Sequence, residues 1–269
     1  MSRSPHPLPT LAAVTIALIA LASLGGCTTV SETGRSQVLL ISPSEEARMG
    51  LSAFEKVKAS ETISDDRESA ELVRKVGRRI SEVARLPNAQ WEFVLFEDST
   101  PNAFALPGGK VGINTGILKI TQNEAGLATV MGHEVAHAVA RHGAERTSQG
   151  MLVQLGGTAL GMALGGESTL TRQVVEQAYG IGTQVGVMLP YSRVHELEAD
   201  QLGLLYMARA GYDPHEAIAF WKRFAAYNNK DSKPPAFLST HPVDAKRIAE
   251  LEAMLPRAMV EYERAKAAG

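Results

Sequence analysis

Cysteine is almost missing from this chain. Cys27 is the only one in 269 residues, which excludes any disulfide within the chain. Charge of one sign is missing too: 27 Lys and Arg face 29 Asp and Glu, for a net charge of -2, and such a balance gives no pointer to nucleic acid. Between residues 40 and 255 no apolar run reaches the roughly 18 residues needed to cross a bilayer. No repeat array or second domain follows the central region. What remains is a globular chain, 45% hydrophobic and long enough to bury a sizeable core.

Patterning predicts an α+β fold that is mainly α. Helical spacing covers about 43 to 60 and 67 to 86, the second with Leu72, Val73, Val76, Ile80 and Val83 on one stripe. The charges at Asp65-Asp66-Arg67-Glu68 are most simply solvated surface. Residues 91 to 96, 104 to 106 and 110 to 114 read as three strands, the last two hinged at Pro107-Gly108-Gly109.

The chemistry is concentrated in Gly132-His133-Glu134-Val135-Ala136-His137. Residues four apart share one helix face, so His133 and His137 can grip one ion, with Glu134 beside them able to reach a water held there. The segment is expected to be helical from about 122 to 142. Thr121 and Glu124 form a T-x-x-E capping box, an apolar run without proline follows, and Gly143 breaks the pattern. Catalytic zinc usually takes three protein ligands and keeps one open position. The downstream stretch from Ser192 to Asp200 offers the third. Glu196 and Asp200 lie four apart on a second helix, after Pro190 and before Gly211, so Glu196 can ligate while Asp200 accepts a hydrogen bond from the outer nitrogen of a ligand histidine. His195 competes with Glu196, but the two point about 100° apart around the helix. Glu198 is expected on the solvated face. His142 fails as a third ligand because the metzincin spacing needs glycine at 140 and histidine at 143, where this chain has Ala140 and Gly143. Its rotation from His137, about 140°, places it at the surface.

Together, His133-Glu134-x-x-His137 and Ser192-Arg193-x-x-Glu196-x-x-Ala199-Asp200 resemble metallopeptidase family 48, the gluzincins that include HtpX-type membrane proteases and CAAX prenyl proteases. Asn102 to Gly109 and Ser239-Thr240-His241-Pro242 with Arg247 agree with it, and the likeness runs from about 40 to 255. It implies a zincin-like domain with a small β-sheet beside the metal helix and one Zn2+ per chain. By the same resemblance Asn102 and Ala103 border the substrate cleft, and the His241-Pro242 element lies near the metal, where His241 holds the tetrahedral intermediate or gates the open position. His241, Arg193 and Tyr191 are the candidate oxyanion donors, with Arg247 a further substrate or oxyanion candidate. The lack of spanning segments makes the chain similar to the small soluble, lipid-anchored bacterial members.

The first residues read as a signal peptide: Arg3, an apolar run from Leu11 to Leu24, then Leu24-Gly25-Gly26-Cys27. The small residues before Cys27 resemble a lipobox, so residues 1-26 are expected to be removed, Cys27 lipidated, 27-42 to form a tether, and 43-269 a single peptidase domain. Thr28 in place of aspartate implies, by resemblance to sorted lipoproteins, the outer membrane facing the periplasm, with the acyl chains serving as an anchor rather than a span.

Residues 148 to 188 are glycine-rich, with only Glu167, Arg172 and Glu176 charged. A core hairpin, a lid over the cleft and a membrane-touching segment compete there. The remaining patterns are helical: Asp213-Pro214-x-Glu216 starts one helix with Phe220 and Trp221 for the core, and Pro242 opens another.

The function expected is that of a zinc endopeptidase of the bacterial envelope acting on unfolded or misfolded proteins. Glu134 is the base that takes a proton from water and returns it to the departing amine. The alternative is an outer-membrane assembly or quality-control factor acting mainly by binding. A structural zinc site is disfavoured, since such sites usually close the fourth position with Cys or His.

Overall fold

The computed structural model describes residues 27–163, 192–228 and 236–268. The chain enters through a two-stranded hairpin, β1 (Cys27–Thr29) and β2 (Ser36–Val38), with Cys27 opposite Val38. This arm lies on the fold: Val30, Gln37 and Ile41 are buried, and the Leu40 amide donates to Ser148 Oγ at 2.8 Å. Ser42 and Asp66 then begin α1 (Pro43–Ser60) and α2 (Arg67–Val83) by one device. Each side chain accepts from the amide three residues on, Glu45 and Ser69, satisfying a donor that the first turn leaves without a partner. Val73, Val76 and Ile80 of α2 are fully buried, each worth about 1.5–3 kcal/mol of apolar burial. The helix ends at Val83, before the 67 to 86 pattern does, with Ala84 already extended at φ -86° and ψ 117°.

The sheet is small and mixed. β3 (Glu92–Phe96) runs parallel to β5 (Lys110–Asn114), and β4 (Ala103–Leu106) runs antiparallel to β5, giving the order β3-β5-β4. β5 is central and buried along its whole length, while β4 forms an edge beside the helix that bears the H-E-x-x-H motif.

That helix is α4 (Glu124–Val139), reached through α3 (Thr115–Thr121). The expected capping box does not form. Thr121 closes α3, its hydroxyl donating to the Leu118 carbonyl, and Asn123 caps α4 by accepting from the Gly126 amide at 2.8 Å. The far end also differs: Arg141, at φ 59°, turns the chain, held by its bonds to Glu46 and the Ile41 carbonyl. The next helix, α5 (His142–Ala163), contains Gly143 rather than being ended by it. Most of the glycine-rich stretch, and Tyr191, lie outside the described residues, as therefore do the hairpin, lid and membrane readings beyond Ala163.

α6 (Arg193–Arg209) starts at Ser192, whose Oγ accepts from the His195 amide. It crosses α4 at two glycines. A Cβ on Gly132 would lie 2.8 Å from the Gly203 carbonyl oxygen, and one on Gly203 would lie 2.7 Å from the His133 nitrogen, so the backbones meet directly. α7 (His215–Asn228), α8 (Ala236–Thr240) and α9 (Ala245–Ala268) close the fold. The last begins at Ala245, after the Asp244 carboxylate has bonded the Arg247 amide, rather than at Pro242. Trp221 stacks on Phe237 at 6.1 Å and, with Phe220 and Phe224, builds an aromatic layer under the crossing. Among the described residues no helix is long and apolar enough to cross a membrane. The architecture is α+β and mainly α, with the small sheet beside α4.

Candidate metal centre

Four buried side chains converge where α4 and α6 cross: His133, His137, Glu196 and His241. His133 Nε2 lies 3.1 Å from His137 Nε2 and 3.2 Å from His241 Nδ1. Glu196 Oε2 is 3.4 Å from His133 Nε2, and its Oε1 is 3.4 Å from His137 Nε2 and 3.0 Å from His241 Nδ1. Tetrahedral zinc with bonds of about 2.1 Å sets its donor atoms roughly 3.4 Å apart, close to these separations. Two of these contacts set one imidazole nitrogen against another, where only one of the pair can carry the proton, whereas a cation satisfies all the donor atoms together. Glu134 Oε1, buried in the same place, has no hydrogen-bond partner among the described residues. The donor set therefore fits zinc.

The surroundings tune these groups. Burial depresses the pKa of His133, but hydrogen bonds to Asp200 and Glu196 more than offset it and raise the value to about 9. Burial dominates at His137 and holds it well below its ordinary value. Glu196 is held well below the carboxylate range: burial raises it, and the three histidines overcome that. Burial pushes the Glu134 carboxyl up, opposed by His241, His133 and the Ala105 amide beside it on β4. A carboxylate so raised is a better proton acceptor than an ordinary one.

The model of peptidase family M48 matches residues 67–255. The chain belongs to peptidase family M48. It is 39% identical over 191 residues to the mitochondrial metalloendopeptidase OMA1 of Schizosaccharomyces pombe, covering 71% of this chain and 54% of that protein. To the beta-barrel assembly-enhancing protease of Escherichia coli (strain K12) it is 29% identical over 249 residues, 89% of this chain and 50% of that protein. The putative beta-barrel assembly-enhancing protease of Vibrio cholerae is 30% identical over 212 residues, 77% and 43% of the two chains. The chain thus spans about half the length of the curated relatives it matches.

The M48 motif residues sit in two layers. Behind His133, Asp200 Oδ1 lies 3.0 Å from Nδ1. Arg247 clamps Asp200 with two 2.7 Å bonds, donates to the Pro242 carbonyl at 2.9 Å, and lies 4.4 Å over the Trp221 ring. Burial raises the Asp200 pKa, and Arg247 with His133 holds it below its ordinary value. Arg247 is thus committed to carboxylates rather than pointing to substrate. Its Nη1 also lies 2.9 Å from Glu196 Oε2, without an aligned hydrogen bond to that oxygen.

Other candidates fall elsewhere. Arg193 is largely exposed and pairs with Asp244 at 3.2 Å, away from the cluster. The Asn102 carbonyl accepts from the Asn114 amide, and Ala103 is the buried first residue of β4. Cys27 is exposed. His195 is not among the converging side chains; its Nε2 lies 3.0 Å from Glu145.

Two expectations are corrected. His142 is fully buried, not at the surface. The turn at Arg141 ends α4 before it, so the angle counted around a continuous helix does not apply, and His142 Nδ1 comes to 2.8 Å from His137 Nδ1. Glu198 is buried as well, 5% exposed, because Thr33, Arg35 and His142 cover it. His241, expected near the metal as a donor to the oxyanion or a gate, has Nδ1 among the four converging ligand atoms and Nε2 3.4 Å from Glu134 Oε1.

Proposed function

We propose that the chain is a zinc-dependent endopeptidase of the bacterial envelope. The observation that carries this reading is the convergence of His133, His137 and Glu196 from two helices on one point, with the Glu134 carboxylate buried beside it. His133, His137 and Glu196 are assigned as resident ligands of one zinc ion. His241, whose Nδ1 lies among the same converging atoms, would help to hold the ion. Zinc, when bound there, supplies Lewis acidity that lowers the pKa of a water and polarises a peptide carbonyl. Glu134 takes the proton from that water and later returns it to the departing amine. The His241 ring also stands beside Glu134, Nε2 3.4 Å from Oε1, where it can donate to the developing oxyanion. An extended substrate pairs with the edge of β4, which has no strand on its outer side among the described residues, and this brings its scissile bond to Glu134; Asn102 and Ala103 lie at the start of that edge.

The lipobox-like residues before Cys27 support removal of residues 1-26 and lipidation of Cys27, with the outer membrane facing the periplasm as the location. The substrates proposed are unfolded or misfolded envelope proteins. One specific observation favours a second reading, an assembly factor that works mainly by binding: the Escherichia coli relative is named for enhancing beta-barrel assembly. A chelator separates the two by abolishing degradation of an unfolded porin while leaving its association intact or not. For the enzymatic reading, Glu134→Gln is expected to retain about one zinc per chain while cleavage of casein falls about 10²- to 10⁴-fold. Wild-type turnover in that variant, measured beside its metal content, overturns the role given to Glu134.

A further inference from the structure

His137 faces the cluster through Nε2 and turns Nδ1 to His142 at 2.8 Å. His142 continues outward, its Nε2 2.8 Å from Glu198 Oε2. Arg35 Nε donates to that same oxygen at 2.6 Å, and the Thr33 hydroxyl donates to the other. Arg35 also reaches Glu145, Nη1 donating to Oε1 at 3.0 Å and Nη2 lying 2.8 Å from Oε2. Glu145 in turn holds His195, whose ring stacks on His142 at 4.4 Å. Thr33 and Arg35 belong to the arm at the start of the chain, outside the stretch that the family model matches.

Proton placement along this line has one solution. A ring nitrogen that faces a cation does so with its lone pair, so His137 carries its proton on Nδ1 and donates it to His142. His142 accepts on Nδ1 and therefore carries its own proton on Nε2, which it donates to Glu198. A carboxylate only accepts, and Arg35 with Thr33 fixes where its oxygens stand.

We propose that His142, Glu198 and Arg35 are positioning residues that fix the ring orientation and tautomer of His137, so that the N-terminal arm is a working part of the metal site. The proposal rests on the reading of His137 as a ligand. Partners of this kind change metal affinity about 10- to 100-fold when removed from next to a ligand.

The test uses the full-length chain in detergent, with the zinc dissociation constant measured by competition with a chromogenic chelator and the visible spectrum recorded on cobalt-loaded protein. His142→Ala is expected to weaken zinc about 10- to 100-fold and to shift the cobalt bands. His142→Gln, whose amide can both accept from His137 and donate to Glu198, should recover most of that loss. Arg35→Gln should weaken zinc by on the order of a few-fold, and should add nothing further in the His142→Ala background because it acts through His142. Arg209→Gln is the control for loosening the arm alone, since Arg209 anchors Glu32 at 2.9 Å with no link to His137; its affinity should equal the wild type's. Should His142→Ala fail to fold, the contrast between Arg35→Gln and Arg209→Gln decides. Equal zinc affinity in Arg35→Gln and wild type, equal losses at Arg35 and Arg209, or full additivity of Arg35 with His142 each overturns the positioning chain. A wild-type chain that binds neither zinc nor cobalt overturns instead the ligand reading beneath it.

Discussion

His133 and His137 stand one turn apart on α4, yet they are held from opposite sides by different chemistry. Behind His133 is a carboxylate, Asp200, gripped by the Arg247 guanidinium of α9, and the whole assembly is buried over Trp221. Behind His137 is a second imidazole, then Glu198, then an arginine from the arm that is 19% exposed. The first support lies inside the stretch matched by the family and is nearly dry; the second leaves that stretch and ends near solvent. The difference teaches that equivalent positions in a motif need not share a mode of support. It also implies that the His133 side is the costlier one to disturb.

Asp200→Ala breaks the comparison at its stronger side. It removes both bonds that clamp the buried Arg247 guanidinium and leaves Glu196 as its nearest carboxylate; breaking a buried pair costs up to about 3–5 kcal/mol, so urea unfolding of the metal-free variant should show a loss approaching that size, and a loss below about 1 kcal/mol would mean that Glu196 alone satisfies Arg247. Gly203→Ala disturbs both sides at once by pushing the helices apart at their crossing. Overpacking of this kind costs about 1–3 kcal/mol, and zinc affinity should fall with stability in the same variant, a coupling that calorimetry and chelator competition read together.

Acid sharpens the contrast with the smallest effect. In the metal-free chain burial lowers the His142 pKa to about 4. Glu198 is lowered to about 2, because bonds from His142, Thr33 and Arg35 outweigh the burial that raises it. Both groups bind protons more readily when unfolded, so their contribution to stability is present at neutral pH. It is lost as pH falls, from about 6.5 to 4 through His142 and from about 4.5 to 2 through Glu198. His133 works the other way. Its raised value keeps its contribution full below about 6.5, and that contribution is lost only as pH rises through about 9. Between pH 6.5 and 4 the His137 side should weaken, by on the order of 2 kcal/mol from His142, with His137 and His195, both held by burial below their ordinary values, adding to it; the loss should be seen as faster amide exchange in residues 30–38, and Glu198→Gln should flatten the part of the slope below pH 4.5. Equal exchange in the arm and in α9 across that range would remove the distinction.

What could be read from the chain follows the same division. The helices, the small sheet, and the set His133, His137, Glu196 and Asp200 are each encoded by spacing along a single element, and spacing survives folding. Thr121 and Asn123 illustrate a near miss, since either type can cap a helix and only the turn after α3 decides between them. Counting around helices as if each were continuous and solvent-backed puts His142 and Glu198 at the surface. The turn at Arg141 and the return of the arm over α6 are tertiary facts that no count could supply. The only available signal was chemical: a histidine five residues past the motif and a glutamate two past Glu196 are unusual ornaments for a dry region. His241, a loop residue that follows α8, is placed near the metal by the family resemblance and by no spacing within one element.

At the crossing of α4 and α6 only hydrogens separate one peptide plane from the other. The gap between the two ligand-bearing rods is therefore a gauge made of backbone, with no spacer that a neighbouring mutation could lengthen or shorten. Drift in the aromatic layer below can be absorbed by rotamers while the aperture offered to an ion keeps its size, which makes the crossing the least negotiable dimension in the molecule.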